Sequence, residues 1–186
     1  PDFIRYHLER ILITQILPRI NKNVVYKYYP SQNYLYGVHP YLSLFPTESK
    51  VTIAGEEDFR YLREAASILV TQGPSSTLGW CIGTYRPLVY LHSQKHEPLQ
   101  DNEILQILRE CFFFFDMTGN WESDLVDFLN KPRKEIEELW QLKLKKQQIH
   151  DKQVFLNIHT KPGDIGAKAI QDITKAGGVQ ERTLEL

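Results

Sequence analysis

Cysteine is scarce in this chain of 186 residues: only Cys81 and Cys111 occur, each among apolar neighbours. A disulfide framework is not indicated, and a reduced, cytoplasmic setting is expected. No apolar run approaches the ~20 residues that a membrane-spanning helix needs, and no signal-peptide pattern opens the chain. Charge of one sign is missing too. The formal net charge is −1, so no basic field recommends nucleic acid as a partner. Lys143, Lys145 and Lys146 do cluster, but Glu135, Glu137 and Glu138 precede them, as on a solvated helix face. Internal repeats and low-complexity segments are also lacking. The opening at Pro1, directly into a helical pattern, reads as a domain excised from a longer protein. The closing Leu184-Glu185-Leu186 reads as partly vector-derived.

What is present is globular: 42% apolar and 24% charged residues, in a length suited to one domain over 1–186. Apolar spacing predicts a helix over 3–18, with Ile4, Leu8, Ile11, Leu12 and Ile16 on one face. β-branched and aromatic residues predict strands at 23–28, 50–54, 67–71, 87–91 and 111–115. Residues 31–48 form a long Tyr- and Pro-rich connection. Acidic Glu56, Glu57 and Asp58 precede a helix through Leu62 and Ala66, as the helix dipole prefers. Further helices are predicted at 76–83, 102–109, 121–130, from Pro132 to about His150, and around 164–175. Strands alternating with helices of this length imply parallel pairing through right-handed crossovers. The expected fold class is α/β: an open, mostly parallel Rossmann-like sheet, helices on both faces, and a helical tail over about 121–175.

In such sheets ligands bind beyond the carboxyl ends of the strands. The most informative stretch is therefore Gly73-Pro-Ser-Ser-Thr77, five small or turn-forming residues between a strand and a helix. Backbone N–H groups and hydroxyls collect there, at a helix start suited to a phosphate or carboxylate. A plain helix cap from Ser75 or Ser76 is the competing reading. The Gly-Lys-Ser/Thr ending of a Walker loop is missing, as is the G-x-G-x-x-G dinucleotide fingerprint. Lys27 lies within the first strand and must reach either water or a partner, since an unpaired buried ammonium is costly. His92 and His96 read as ordinary loop histidines, because no third ligand or H-E-x-x-H pattern accompanies them. The four phenylalanines 112–115 read as core on both sheet faces. No catalytic triad, paired-cysteine metal motif or kinase signature occurs, so no self-contained catalytic apparatus is visible.

Four segments together resemble the C-terminal, donor-binding domain of GT-B glycosyltransferases, chiefly those that build bacterial surface and capsular polysaccharides, the Kdo-type transferases among them. Lys27-Tyr-Tyr-Pro30 is similar to the family's Lys-x-His-Pro, with Tyr29 in the histidine position. Phe59–Val70 is similar to its helix-to-strand segment, and Ser76-Thr-Leu-Gly79 to its Ser-Thr-x-Gly. Gly83-Thr-Tyr-Arg-Pro87 is similar to its Gly-x-Pro, and Trp80 and Cys81 stand where many relatives have Glu or Gln. The resemblance covers about residues 20–150. It implies that Gly73, Ser75, Ser76 and Thr77 hold the phosphate of a nucleotide-sugar donor, with Lys27 beside that phosphate or the donor's carboxylate. Ile53, Ala54 and Gly55 would lie near the nucleotide base. The implied activity is sugar transfer, with Kdo from CMP-Kdo as one donor, to a glycan acceptor. A missing N-terminal domain would complete the enzyme in the cytoplasm or at the inner face of the membrane. No metal or further cofactor is implied. Two other functions stand beside this one: a nucleotide-sugar epimerase of the same architecture, and a non-catalytic interaction domain.

Overall fold

The computed structural model describes residues 2–28, 42–46, 50–55, 57–73, 76–95 and 101–150. The chain divides into two compact units, 1–146 and 147–186; of the second only residues 147–150, the end of a helix, are described. The first unit is α/β, as the alternation of strand and helix signals requires. Its elements run α1 (Asp2–Ile11), β1 (Val24–Lys27), β2 (Val51–Ala54), α2 (Phe59–Ala65), β3 (Leu69–Gln72) and α3 (Ser76–Ile82). They continue with β4 (Leu88–His92), α4 (Asn102–Cys111), β5 (Phe113–Asp116), α5 (Trp121–Asn130) and α6 (Arg133–His150). The helix expected around 164–175, and with it the rest of the tail beyond His150, lies outside the described residues. No helix among the described residues is long and apolar enough to cross a membrane.

All strand pairs are parallel. The single open sheet expected is divided, among the described residues, into two: β1–β2, and β3–β4–β5 with β4 central. Val24 pairs with Val51 and Lys27 with Ala54; Leu69 pairs with Leu88, and Val89 with Phe113. Position in the sheet decides burial. Every β4 residue from Leu88 to His92 is at most 1% exposed, because a central parallel strand is flanked on both edges and covered on both faces. On β1 and β3, Val25 and Val70 are 55% and 46% exposed.

The first helix is not uniform. After Ile11 it widens into a π turn over Leu12–Ile16 and closes as a 3-10 turn over Leu17–Arg19. Pro18 supplies the reason: it has no N–H and its ring crowds the carbonyl four residues back, so regular α geometry cannot continue. This segment is tied to the end of α5. The Asn130 carboxamide accepts from the Asn21 amide at 2.8 Å and donates to the Arg19 carbonyl at 2.9 Å. The Lys22 ammonium donates to the carbonyls of Leu129 and Lys131, a cation placed on the orphan carbonyls of a helix end.

An aromatic cluster carries α5 and α6 against the sheet. The Phe113 ring lies 4.5 Å from Phe128 and 5.8 Å from Trp140, centre to centre. The Trp140 indole N–H donates to the Tyr85 carbonyl at 2.9 Å. Tyr85 has φ +54°, a conformation that a non-glycine residue adopts at a cost, and the buried indole fixes the turn that delivers β4. The four phenylalanines do not all enter the core. Phe112 and Phe113 are buried, whereas Phe114 and Phe115 are half-buried because β5 is an edge strand. The Arg109 guanidinium lies 5.0 Å from the centre of the Phe114 ring.

Truncation should separate centre from edge. Leu91→Ala, on the enclosed strand, should destabilise by about 2–5 kcal/mol. Val70→Ala, on the half-open strand, should cost less than about 1 kcal/mol. Urea denaturation of both variants checks this; equal losses would mean that β3 is as enclosed as β4.

Candidate functional site

Parallel strands deliver their carboxyl ends to one side of each sheet, and the described site residues stand at those ends. Lys27 and Ala54 are the last residues of β1 and β2 and are register partners. Gly55 follows Ala54 directly. Gln72 ends β3, Gly73 follows it, and Ser76 and Thr77 open α3. Ser75, Pro74, Tyr29 and Pro30 lie outside the described residues.

The Lys27 ammonium is neither free in water nor buried without a partner. It donates to the Gly55 carbonyl at 2.6 Å and to the Tyr28 carbonyl at 3.0 Å, with the Tyr28 ring 5.5 Å away, measured to its centre. An ammonium has three donors, and two of them are engaged among the described residues. A Cβ at Gly55 would meet the Tyr28 hydroxyl, so the Tyr28 side chain would have to turn aside to admit any other residue there. The clamp joins the ends of β1 and β2 and fixes one positive charge at the rim. Of the residues expected near a nucleotide base, Ile53 is 38% exposed and Ala54 is 3% exposed.

Gly73 is buried and has φ +69°. That left-handed backbone suits glycine, and it turns the chain sharply from β3 toward α3. The Gly73 amide donates to the Leu91 carbonyl at 3.4 Å, so this N–H belongs to the sheet and is not presented to a ligand. Ser76 is exposed and Thr77 half-buried; their amides lie in the first turn of α3, where helix N–H groups have no intrahelical acceptor.

α2 links the two halves of the rim. Its N-cap, Asp58, accepts from the Arg60 amide at 2.8 Å and is close enough to Lys27 to feel its charge. The next residue, Phe59, stacks on Trp80 of α3 with ring centres 6.3 Å apart. The Arg63 guanidinium donates to the Trp80 carbonyl at 2.6 Å. This is the contact path from the Lys27 clamp to α3. Asp58 was legible only as one of three acids at a helix start; its pairing with Arg60, two residues away, makes it the cap.

His92 departs from its expected place in a loop. It is the last residue of β4, 1% exposed, with its Nε2 2.9 Å from Gln94 Oε1. Ser93, next to it, is also buried. A buried polar pair at a strand's carboxyl end adds hydrogen-bonding groups to the same rim of the three-stranded sheet. His96 lies outside the described residues. Among the described residues no group of three or more His, Cys, Asp or Glu is placed to hold a metal ion. Cys81 is buried at 1% exposure, and burial pushes its thiol up to about 11, so it stays protonated and unreactive near neutral pH.

One open groove, about 500 Å³, lies elsewhere, along the outer side of β5, lined by Arg109, Phe113–Asp116 and Lys143. Arg109 pairs there with Asp116 at 2.9 Å, and the Lys143 ammonium, like that of Lys27, donates to two carbonyls, those of Arg109 at 2.9 Å and Glu110 at 3.4 Å. What the groove lacks, among the described residues, is a helix start with amides that suit an anion.

Hydrogen bonds from Arg60, the side chain first and then the amide, bring the Asp58 carboxyl down from its ordinary 3.8 to about 2. A lowered folded-state value means that the cap contributes fully above the unfolded value and is lost as pH falls through about 2. An NMR carboxyl titration should therefore give Asp58 a midpoint near 2, and Arg60→Ala should raise it toward 3.8. An unchanged midpoint in the variant would show that Arg60 does not hold the cap.

Set against known proteins, the chain matches no family model, no curated protein and no solved structure, so the case for its function rests on the chemistry of the rim.

Proposed function

We propose that the chain is the donor-binding half of a glycosyltransferase that moves a sugar from a nucleotide donor to a glycan acceptor. The observation that supports the reading is the ammonium of Lys27, fixed at the ends of β1 and β2, with α2 next to it and stacked through Phe59 on Trp80 of α3, the helix that Ser76 and Thr77 open. Such a site fits a diphosphate or a phosphodiester bearing a sugar.

The chemical role follows from where charge develops. Sugar transfer leaves negative charge on the departing phosphate oxygen. Donors already aimed at that oxygen stabilise the transition state without reorganising. The amides at the start of α3, the hydroxyls of Ser76 and Thr77, and the ammonium of Lys27 supply them. Ile53 and Gly55, at the end of β2, border the place for the base. The acceptor and the group that removes its proton would come from a second domain, so this chain binds donor without turning it over. Kdo from CMP-Kdo is one donor of this class.

A second reading, a binding module without chemistry, draws on one specific feature. Tyr61 and Trp80 are 77% and 45% exposed, an aromatic display beside the same rim that suits a glycan or protein partner.

Calorimetric titration with CDP, CMP, UDP and GDP distinguishes the two. The transferase reading expects binding of at least one nucleotide at millimolar concentration or tighter. Replacing both Ser76 and Thr77 by Ala should weaken it by roughly ten- to a hundredfold, the worth of charge-assisted hydrogen bonds. Stability should fall by no more than ~1 kcal/mol. No binding of any nucleotide by the folded chain would favour the binding module.

A further inference from the structure

Along α6 the charges are sorted by sign. Glu135, Glu137 and Glu138 stand in its first half and Lys143, Lys145 and Lys146 in its second, the order that the helix dipole prefers. Two leucines lie between the blocks. Leu139 and Leu142 are three apart, so they are neighbours on one face, and they are 39% and 65% exposed. At 3.6 residues per turn, Glu135 and Lys146 continue that stripe at its two ends, and Glu138 and Lys145 flank it on one side. The stripe runs about 110° round the helix from Ile136 and Trp140, which are buried. The acids are held at the surface by near neighbours, Glu135 by Lys131 and Glu138 by Lys134 at 3.9 Å. Lys145 and Lys146 are exposed and have no acidic partner among the described residues.

We propose that this stripe seats a second copy of the chain, with two α6 helices packed antiparallel about a twofold axis that passes between Leu139 and Leu142. The order of charges selects both the partner and the direction. An antiparallel copy lays the acidic half of one helix on the basic half of the other. Parallel copies would set like charges side by side, which is unfavourable. A twofold axis makes the patch its own complement, so each contact occurs twice. With Leu139 against the partner's Leu142, the helical rise brings Glu135 level with the partner's Lys146 and Glu138 beside the partner's Lys145. The lysines thus gain acids, and the exposed leucines of both copies close on one another. An apolar seam this small makes a weak dimer, one that forms at high protein concentration. The proposal rests on α6 alone and stands whether or not the chain binds a nucleotide.

Sedimentation equilibrium of the full chain over about 0.01–1 mM, the range of weak association, tests this. A monomer–dimer equilibrium is expected, with dimer predominant at the top of the range. Replacing both leucines, Leu139→Gln with Leu142→Gln, puts a good helix former at two exposed positions. It should weaken the dimer by about tenfold or more and leave the circular dichroism spectrum unchanged. Glu138→Lys and Lys145→Glu should each weaken self-association, because each sets like charges across the seam. The two charge variants mixed together should associate more tightly than either does with itself, and the double variant should return to the parent's affinity. A monomer throughout the range overturns the proposal. So does a dimer that the glutamine pair leaves unchanged, or one whose charge variants fail to recover in combination, which would put the contact elsewhere or the helices parallel. Should the glutamine pair disturb the fold, the charge variants decide alone.

Discussion

Parallel pairing is the constraint from which the rest of this structure follows. Within each of the two sheets, strands running the same way put every carboxyl end, and every turn that follows one, on a common side. The same pairing leaves no face that can stay wet, so helices must pack on both sides. β4 satisfies that demand fully, with each residue from Leu88 to His92 enclosed. Two of the helices around it are held by polar ties: α6 through Trp140 to the Tyr85 carbonyl, and the end of α5 through Asn130 to Arg19 and Asn21 and through its carbonyls to Lys22, all in the segment before β1. A rigid back and a rim of short turns are the outcome.

At that rim the division of labour is physical. Lys27 uses two donors to hold the ends of β1 and β2 together. Gly73 spends its left-handed backbone on the turn and its amide on the sheet, so it shapes the site without contacting a ligand. In the proposed reading, binding falls on Ser76, Thr77 and the first amides of α3. The charge on Lys27 is shared with Asp58, whose carboxylate caps α2 nearby.

Much of this was legible in the sequence, and the parts that were not have identifiable causes. α5 and α6 were readable because their apolar spacing is undisturbed and Pro132 stands just ahead of α6. The strands were readable as β-branched or aromatic runs, but β3, β4 and β5 begin one or two residues later than expected. Cys111 and Phe112 are as buried as any strand residue, yet Cys111 ends α4; an apolar run alone does not say where a helix stops. The π turn at Leu12–Ile16 was hidden because apolar spacing barely changes when a helix widens by one residue. His92 was missed because nothing local marks a histidine as the enclosed end of a central strand. The Lys27 clamp depends on Gly55, 28 positions away, and the division into two sheets depends on pairings between distant segments. Local pattern cannot report either.

A crystal of the chain soaked with a nucleoside diphosphate is the most direct test of the claim that this rim is an anion site. The account predicts phosphate oxygens within hydrogen-bonding distance of the Ser76 and Thr77 amides and of the Lys27 ammonium, with the base against β2. A nucleotide bound instead in the groove beside Arg109 and Phe114, with the rim empty, would contradict it.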